Sequence, residues 1–293
     1  TEAIPVPGNP RPHLPFALVL GGGGARGFAH LGVLRGLEHL GYRPQAIVGV
    51  SMGAIVGVAY ALRQDWYAAV SRVKLPDLAG AHGRAAESGG PLRSAIRTLR
   101  MAASMAWDWG LGSHVREAGR AELRALLGQQ RLEDARIPVA VSATDLRSGT
   151  RVVLKTGRAD DAVYASAALA GVLPPLAMDD WLLADGAYSD LAPVDVAREF
   201  GLPAVVAVDA GALERADGIR NGYQALLRAT EICHRQHAHL RFASADLTLR
   251  PRFVRFIDTL EFSARRECVA AGIRVVRAET PAIRRLLEGR RDA

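Results

Sequence analysis

The sequence predicts an α/β protein with three layers: a central, mostly parallel sheet and helices on both of its faces. Three observations carry this. Short, continuously apolar runs at Phe16–Leu20 (FALVL), Gln45–Val50 (QAIVGV) and Ala204–Asp209 (AVVAVD) suit strands buried on both faces. Strand, tight turn and helix recur twice between Phe16 and Leu62, which is the pattern of parallel βα units. The chain has 293 residues, 49% of them hydrophobic, and neither a repeat nor a clean linker divides it, so one large core is expected.

Taken in order, residues 1–15 (TEAIPVPGNPRPHLP) read as an extended, proline-rich leader without the basic start and apolar stretch of a signal peptide. Residues 16–210 read as the core, and 211–293 as a helical and strand extension packed on the same domain. After the first strand comes the glycine-rich segment Gly21–Gly27. A helix over Phe28–Leu40 follows, with Leu31, Leu34, Leu37 and Leu40 near helical spacing and Gly41 as its stop. The second strand ends at Ser51, and Gly53–Leu62 reads as a helix. A stretch broken by Pro76, Gly80, Gly83, Gly89, Gly90 and Pro91 comes next. Leu92–Trp109 then forms a basic amphipathic pattern: Leu92, Ile96, Leu99 and Ala103 share one face, Arg93, Arg97 and Arg100 another. Two readings stand for 92–109: a surface helix packed on the core, or a lid or peripheral contact with an anionic membrane.

Val115–Leu127 reads as a helix. Pro138–Ala143 and Arg151–Lys155 read as a hairpin around Arg147-Ser148-Gly149, and Asp160–Ala170 as a helix broken by Gly171–Pro175 (GVLPP). Trp181–Ala184 is a short strand, Asp195–Phe200 a helix and Asp246–Leu249 a strand, with a basic helix at the end.

The net charge of +7 favours acidic partners, but the arginines are spread along the chain, which fits a solvated surface; no nucleic-acid partner is expected. The two cysteines, Cys233 and Cys268, form neither a disulfide framework nor a metal pattern. No metal or cofactor is expected. The longest apolar run, Val48–Leu62, is too short and too interrupted to cross a bilayer, so a soluble or peripheral protein is expected, with the cytoplasm favoured.

Three motifs carry chemistry. Gly49-Val50-Ser51-Met52-Gly53 fits G-x-S-x-G between a strand and a helix. A sharp turn there pushes the Ser51 hydroxyl into the open, and small neighbours such as Gly49 and Gly53 relieve its crowding. Gly22-Gly23-Gly24-Ala25-Arg26-Gly27 opens the preceding helix. Its backbone N–H groups suit an oxyanion hole for Ser51 or, alternatively, a nucleotide or phosphate loop, since Gly22, Gly24 and Gly27 also satisfy G-x-G-x-x-G. The second strand ends in Val50-Ser51 rather than in the acidic residue a dinucleotide site needs, which favours the oxyanion hole. Asp185-Gly186-Ala187 places a carboxylate at a strand end; taken alone it is only a turn signal.

Together and in this order, the three motifs resemble those of the patatin-like phospholipase family. Ser142-Ala143-Thr144-Asp145, Gly171–Pro175 and the run from Asp185 to Pro193 extend the likeness, which covers about residues 16–210 and is strongest to bacterial members similar to the catalytic part of neuropathy target esterases. The resemblance implies a three-layer patatin-like fold, no cofactor, and a lipid or acyl-ester substrate. It implies a Ser51–Asp185 dyad without histidine, oxyanion donors at Gly23 and Gly24, and Gly22 and Arg26 shaping the loop. Region 76–110 is the one departure, a stretch that matches none of the family's motifs.

A Ser–His–Asp triad is the competing arrangement. His234, His237 and His239 come late enough in the chain to serve, but they lie in one polar, helical stretch that fits surface histidines. His30 reads as a packed helix residue.

Overall fold

A computed structural model describes residues 13–75, 113–211, 219, 222–236 and 238–289. The stretch 92–109 lies outside them. Strands β1 (Phe16–Leu20), β2 (Ala46–Val50) and β7 (Ala204–Val208) are buried along their whole length. Their side chains divide with period two. Phe16, Leu18, Leu20 and Ile47 join a large core beneath one face of the sheet, while Ala17, Val19, Ala46, Val48, Val205 and Ala207 join a smaller core beneath the other. Two buried faces explain why these strands read as unbroken apolar runs.

The remaining strands are β3 (Val139–Asp145), β4 (Arg151–Leu154), β5 (Leu176–Met178), β6 (Trp181–Asp185) and β8 (Leu247–Leu249). The sheet order is β5-β6-β3-β2-β1-β7-β8, with β4 also paired to β3. β3, β2, β1, β7 and β8 run parallel, whereas β4, β5 and β6 join by antiparallel pairs. β5 was not expected: three residues after a Pro-Pro pair carry no periodic signal, and the strand exists because β6 offers it an edge.

Among the described residues the helices are α1 (Ala29–Leu40), α2 (Met52–Leu62), α3 (Trp66–Arg72), α4 (Ser113–Leu127), α5 (Ala159–Ala167), α6 (Val194–Arg198), α7 (Gly222–Gln236), α8 (Ala238–Ala243), α9 (Arg265–Ala278) and α10 (Thr280–Glu288). α1, α2, α5 and α9 supply the large core; α6 and α8 close the small one. Helices on both faces of a mostly parallel sheet give the three layers the apolar runs predict. A short 3-10 turn, Gly24–Phe28, leads into α1, so the glycine loop does not open directly onto an α-helix. None of the described helices is long and apolar enough to cross a membrane.

All eleven residues of α2 are buried, and its first turn is driven against β1. A Cβ on Gly53 would collide with the carbonyl of Leu20, a backbone atom that cannot rotate away. Gly53→Ala is therefore expected to cost about 2–3 kcal/mol in urea unfolding. A loss under about 0.5 kcal/mol would mean that the strand and helix can separate without penalty.

Candidate active site

The site begins where β2 turns into α2. Ser51 holds φ 53° and ψ −123°, a left-handed conformation rare for a residue with a side chain. Such strain costs of order 1–3 kcal/mol and persists only where the surroundings enforce it. Here the Ser51 N–H donates to Ser166 Oγ at 2.8 Å, and that hydroxyl donates to the Ser142 carbonyl at 2.6 Å. The Ser51 carbonyl accepts from the N–H groups of Ala54 and Ile55, so the turn is the start of α2. The helix directs its positive end at the serine.

β3 brings the second group into place. Val141 and Ser142 pair with Gly49 and Val50 of β2 on one edge and with β4 on the other. Ala143 and Thr144 also pair with β4, so their partners in β6, Asp185 and Ala184, must occupy the edge that β2 uses. β2 and β6 therefore meet end to end along β3, and Asp185 lies opposite the position next to the partner of Val50. The result is a hydrogen bond from Ser51 Oγ to Asp185 Oδ2 at 2.7 Å, across 134 residues of sequence.

Asp185 is 4% exposed. Its Oδ1 accepts from the Ala187 N–H at 2.9 Å, its N–H donates to the Ala168 carbonyl, and its own carbonyl accepts from Thr144 Oγ1 at 2.8 Å. Burial raises its pKa from 3.8 to about 6, against the opposing pull of the bonds from Ser51 and Ala187. Gly186 follows because a Cβ there would strike the Ser142 carbonyl.

The glycine loop borders the same space. Gly21 N–H is used by Val208 and Ala25 N–H by Thr259. Between them, the N–H groups of Gly23 and Gly24 meet no acceptor among the described residues. Arg26 is buried, ion-paired with Glu231 and donating to the Ile257 carbonyl at 3.1 Å. It ties the loop to α7, and Gly27 packs on Met52. His30 is fully buried and donates from Nε2 to the Gly21 carbonyl at 2.8 Å; burial lowers its pKa to about 4, so its ring is neutral and packed.

Gly22, Gly23, Gly24, Ser51 and Asp185 line one cavity of about 410 Å³. Part of its wall is apolar, built from Ile55, Leu123, Tyr164, Leu169 and Leu173. Another part is polar, with Thr230, Glu231, His234 and Arg235 of α7. The second part corrects the expectation of surface histidines. His234 is half-buried in this wall, its ring edge-on to Tyr188 at 4.9 Å, and burial lowers its pKa. His239 is exposed, and His237 lies outside the described residues. Among the described residues no three His, Cys, Asp or Glu side chains group to hold a metal.

The family model described as patatin-like phospholipase matches residues 18–198, which include the serine turn, the glycine loop and Asp185. The chain belongs to the patatin-like phospholipase family. Lysophospholipase NTE1 of Cryptococcus neoformans var. neoformans serotype D is 35% identical over 199 residues, 68% of this chain and 11% of that protein. Patatin-like phospholipase domain-containing protein 6 of Homo sapiens is 33% identical over 204 residues, 69% of this chain and 14% of its own. The chain thus spans a small fraction of the curated relatives it matches. The crystal structure of VipD from Legionella pneumophila aligns over 92% of this chain and 67% of that one, at TM-score 0.42 and 13% identity.

Within this patatin-like core, sequence reasoning missed Ser166 and Thr144, which hold the backbone of Ser51 and Asp185. Ser142–Asp145 stands out only as part of the family likeness, and nothing in the spacing of either hydroxyl says which backbone group it holds. It also missed that α7, beyond the family match, supplies the polar cavity wall.

Proposed function

We propose that this chain is a serine acyl hydrolase of lipid or other carboxyl esters, of phospholipase A, lysophospholipase or carboxylesterase type, serving lipid degradation. The observation that carries the reading is the 2.7 Å hydrogen bond from Ser51 Oγ to the buried Asp185 carboxylate, at the wall of a cavity largely apolar on one side. The relatives' names, lysophospholipase and patatin-like phospholipase, agree with it.

In this mechanism Ser51 Oγ attacks the ester carbonyl carbon while its proton passes to Asp185. The carbonyl oxygen becomes an oxyanion, met by the N–H groups of Gly23 and Gly24 and by the N-terminus of α2. Asp185 returns the proton to the departing alcohol, leaving acyl-Ser51. Water then attacks the acyl carbon, gives a proton to Asp185, and the acid leaves as Ser51 is restored. A carboxylate is a weaker base than imidazole, and a pKa raised by burial narrows that gap. The Ala187 N–H holds Oδ1 so that Oδ2 stays on the serine. The phosphate-loop alternative has nothing in the comparisons behind it.

The direct test is a fluorophosphonate probe, read by intact mass and peptide mapping. A single adduct on the peptide containing Ser51 is expected; a well-folded protein that takes up no probe would sink the proposal. Because Asp185 must be ionised to accept the proton, labelling and kcat/KM are expected to rise as pH increases through about 6. A flat profile between about pH 5 and 8 would mean that burial does not raise the Asp185 pKa into that range.

A further inference from the structure

Helix α7 is amphipathic in the reverse of the usual sense. Surface helices turn apolar residues inward and charged ones outward. In α7 every described charged side chain is half-buried, namely Arg228, Glu231 and Arg235, together with His234, Gln224, Thr230 and one leucine, Leu227; Leu227, Thr230, Glu231, His234 and Arg235 line the cavity. Among its described side chains the exposed ones are Ala225, Leu226, Ala229, Ile232, Cys233 and Gln236, and none of these is charged. At 100° per residue these six fall within an arc of about 120°, a continuous uncharged stripe. Leu226 is 55% exposed and Ile232 38%. Beyond the helix, Leu240 is 61% exposed and Val254 85%.

On α7 itself Arg228 and Arg235 lie along one margin of the stripe, and further arginines stand on the segments that follow. Arg250, itself 57% exposed, shares the carboxylate of Asp209 with Arg235 of α7. Arg228 of α7 lies over the ring of Phe256, next to Arg255, which is 50% exposed. Arg241 on the following helix is 46% exposed and shares Asp190 and Asp195 with Arg151, while Arg255 pairs with Glu261 and Glu267, so these guanidinium groups are paired yet keep an exposed edge. An uncharged, partly aliphatic stripe with guanidinium groups at its margins matches the interface of an anionic bilayer, where the apolar face enters the acyl boundary and the cations meet phosphates.

We propose that the outer face of α7 is a membrane-docking surface for anionic lipid. This choice of occupant rests on the ester-hydrolase reading above. The helix whose inner face walls the cavity would then lie on the bilayer, so that a lipid ester reaches Ser51 from the membrane rather than through water.

The test pairs Leu226→Asp/Ile232→Asp with wild type. Both residues are exposed and outside the cavity wall, so fold and hydrolysis of the soluble ester p-nitrophenyl butyrate are expected to hold within about twofold. Co-sedimentation with vesicles of phosphatidylcholine containing about one-third phosphatidylglycerol is expected to fall at least about tenfold in the variant. Wild-type binding is expected to weaken with added salt and on pure phosphatidylcholine. A second measurement is independent of any loss of fold: Ile232→Trp should be quenched by brominated lipid beyond the wild-type background. Equal vesicle binding by wild type and the aspartate variant, no binding by wild type, or no extra quenching would overturn the proposal. So would a wild-type dimer in sedimentation velocity that the aspartates dissolve while vesicle binding persists, since the stripe would then cover a second copy. Wild type that binds vesicles through this stripe but hydrolyses no ester would leave the surface standing and remove the hydrolase reading instead.

Discussion

Ser51→Ala is expected to lower kcat/KM for ester hydrolysis by about ten-thousandfold or more, which corresponds to about 5 kcal/mol of transition-state stabilisation. The loss follows from chemistry rather than folding. Alanine keeps the Cβ, so the left-handed turn at φ 53° stays as strained as before. Ser166 still receives the N–H of residue 51, because that bond belongs to the backbone. Stability is therefore expected to change by less than about 1 kcal/mol. Ser51→Gly is the informative companion: it removes the same hydroxyl but tolerates the turn, so it should be equally inactive yet more stable than the alanine variant by about 1 kcal/mol. Activity within about tenfold of wild type in either variant would displace Ser51 as nucleophile.

Asp185→Asn is expected to lower kcat about a thousandfold while keeping the shape of the site. An amide oxygen still accepts a hydrogen bond, but it cannot take a proton from Ser51. Because the two groups act as one unit, the double variant should be little worse than Ser51→Ala alone. His234→Ala is the counter-test. Its ring lines the cavity but packs on Tyr188, so the variant should retain kcat within about tenfold. If His234→Ala lost all activity while Asp185→Asn kept it, the dyad would give way to a histidine base.

The aspartate also leaves a mark on stability. Its carboxyl titrates at about 6 when folded and at 3.8 unperturbed, so between these values the folded state holds a proton that the unfolded state has released. This group's contribution is full at acid pH and is lost as pH rises through about 6. The asparagine variant lacks that dependence and should gain on wild type above pH 6 in urea titrations. The ionisation that the proposed mechanism requires thus opposes folding at the same residue.

How much of this was legible in the sequence depends on where the cause of each feature resides. β1, β2, β7 and α2 could be read because a strand buried on two faces must be apolar at every position, and Gly53 marks the helix that crowds β1. Ser51 could be read because its turn demands small neighbours. Asp185 was legible only in combination: Asp-Gly is a turn signal on its own, and its meeting with Ser51 follows from the pairing register of β3. β5 and the inward-facing charges of α7 could not be read. The first depends on an edge supplied by β6. The second reverses the rule by which helix faces are assigned, so His234 looked like a surface residue when it faces the cavity.

The end-to-end meeting of β2 and β6 along β3 separates chemistry from chain length. Residues 134 apart in sequence are one rung apart on a shared rail. What joins α2 to β3 can be lengthened, shortened or exchanged without altering the distance from hydroxyl to carboxylate, provided β2 and β6 keep their register and α2 and Ser166 of α5 keep hold of the serine turn. Descendants of such a scaffold are free to trade that connecting segment as a cassette, retuning which molecules enter while the hydroxyl–carboxylate pair stays fixed.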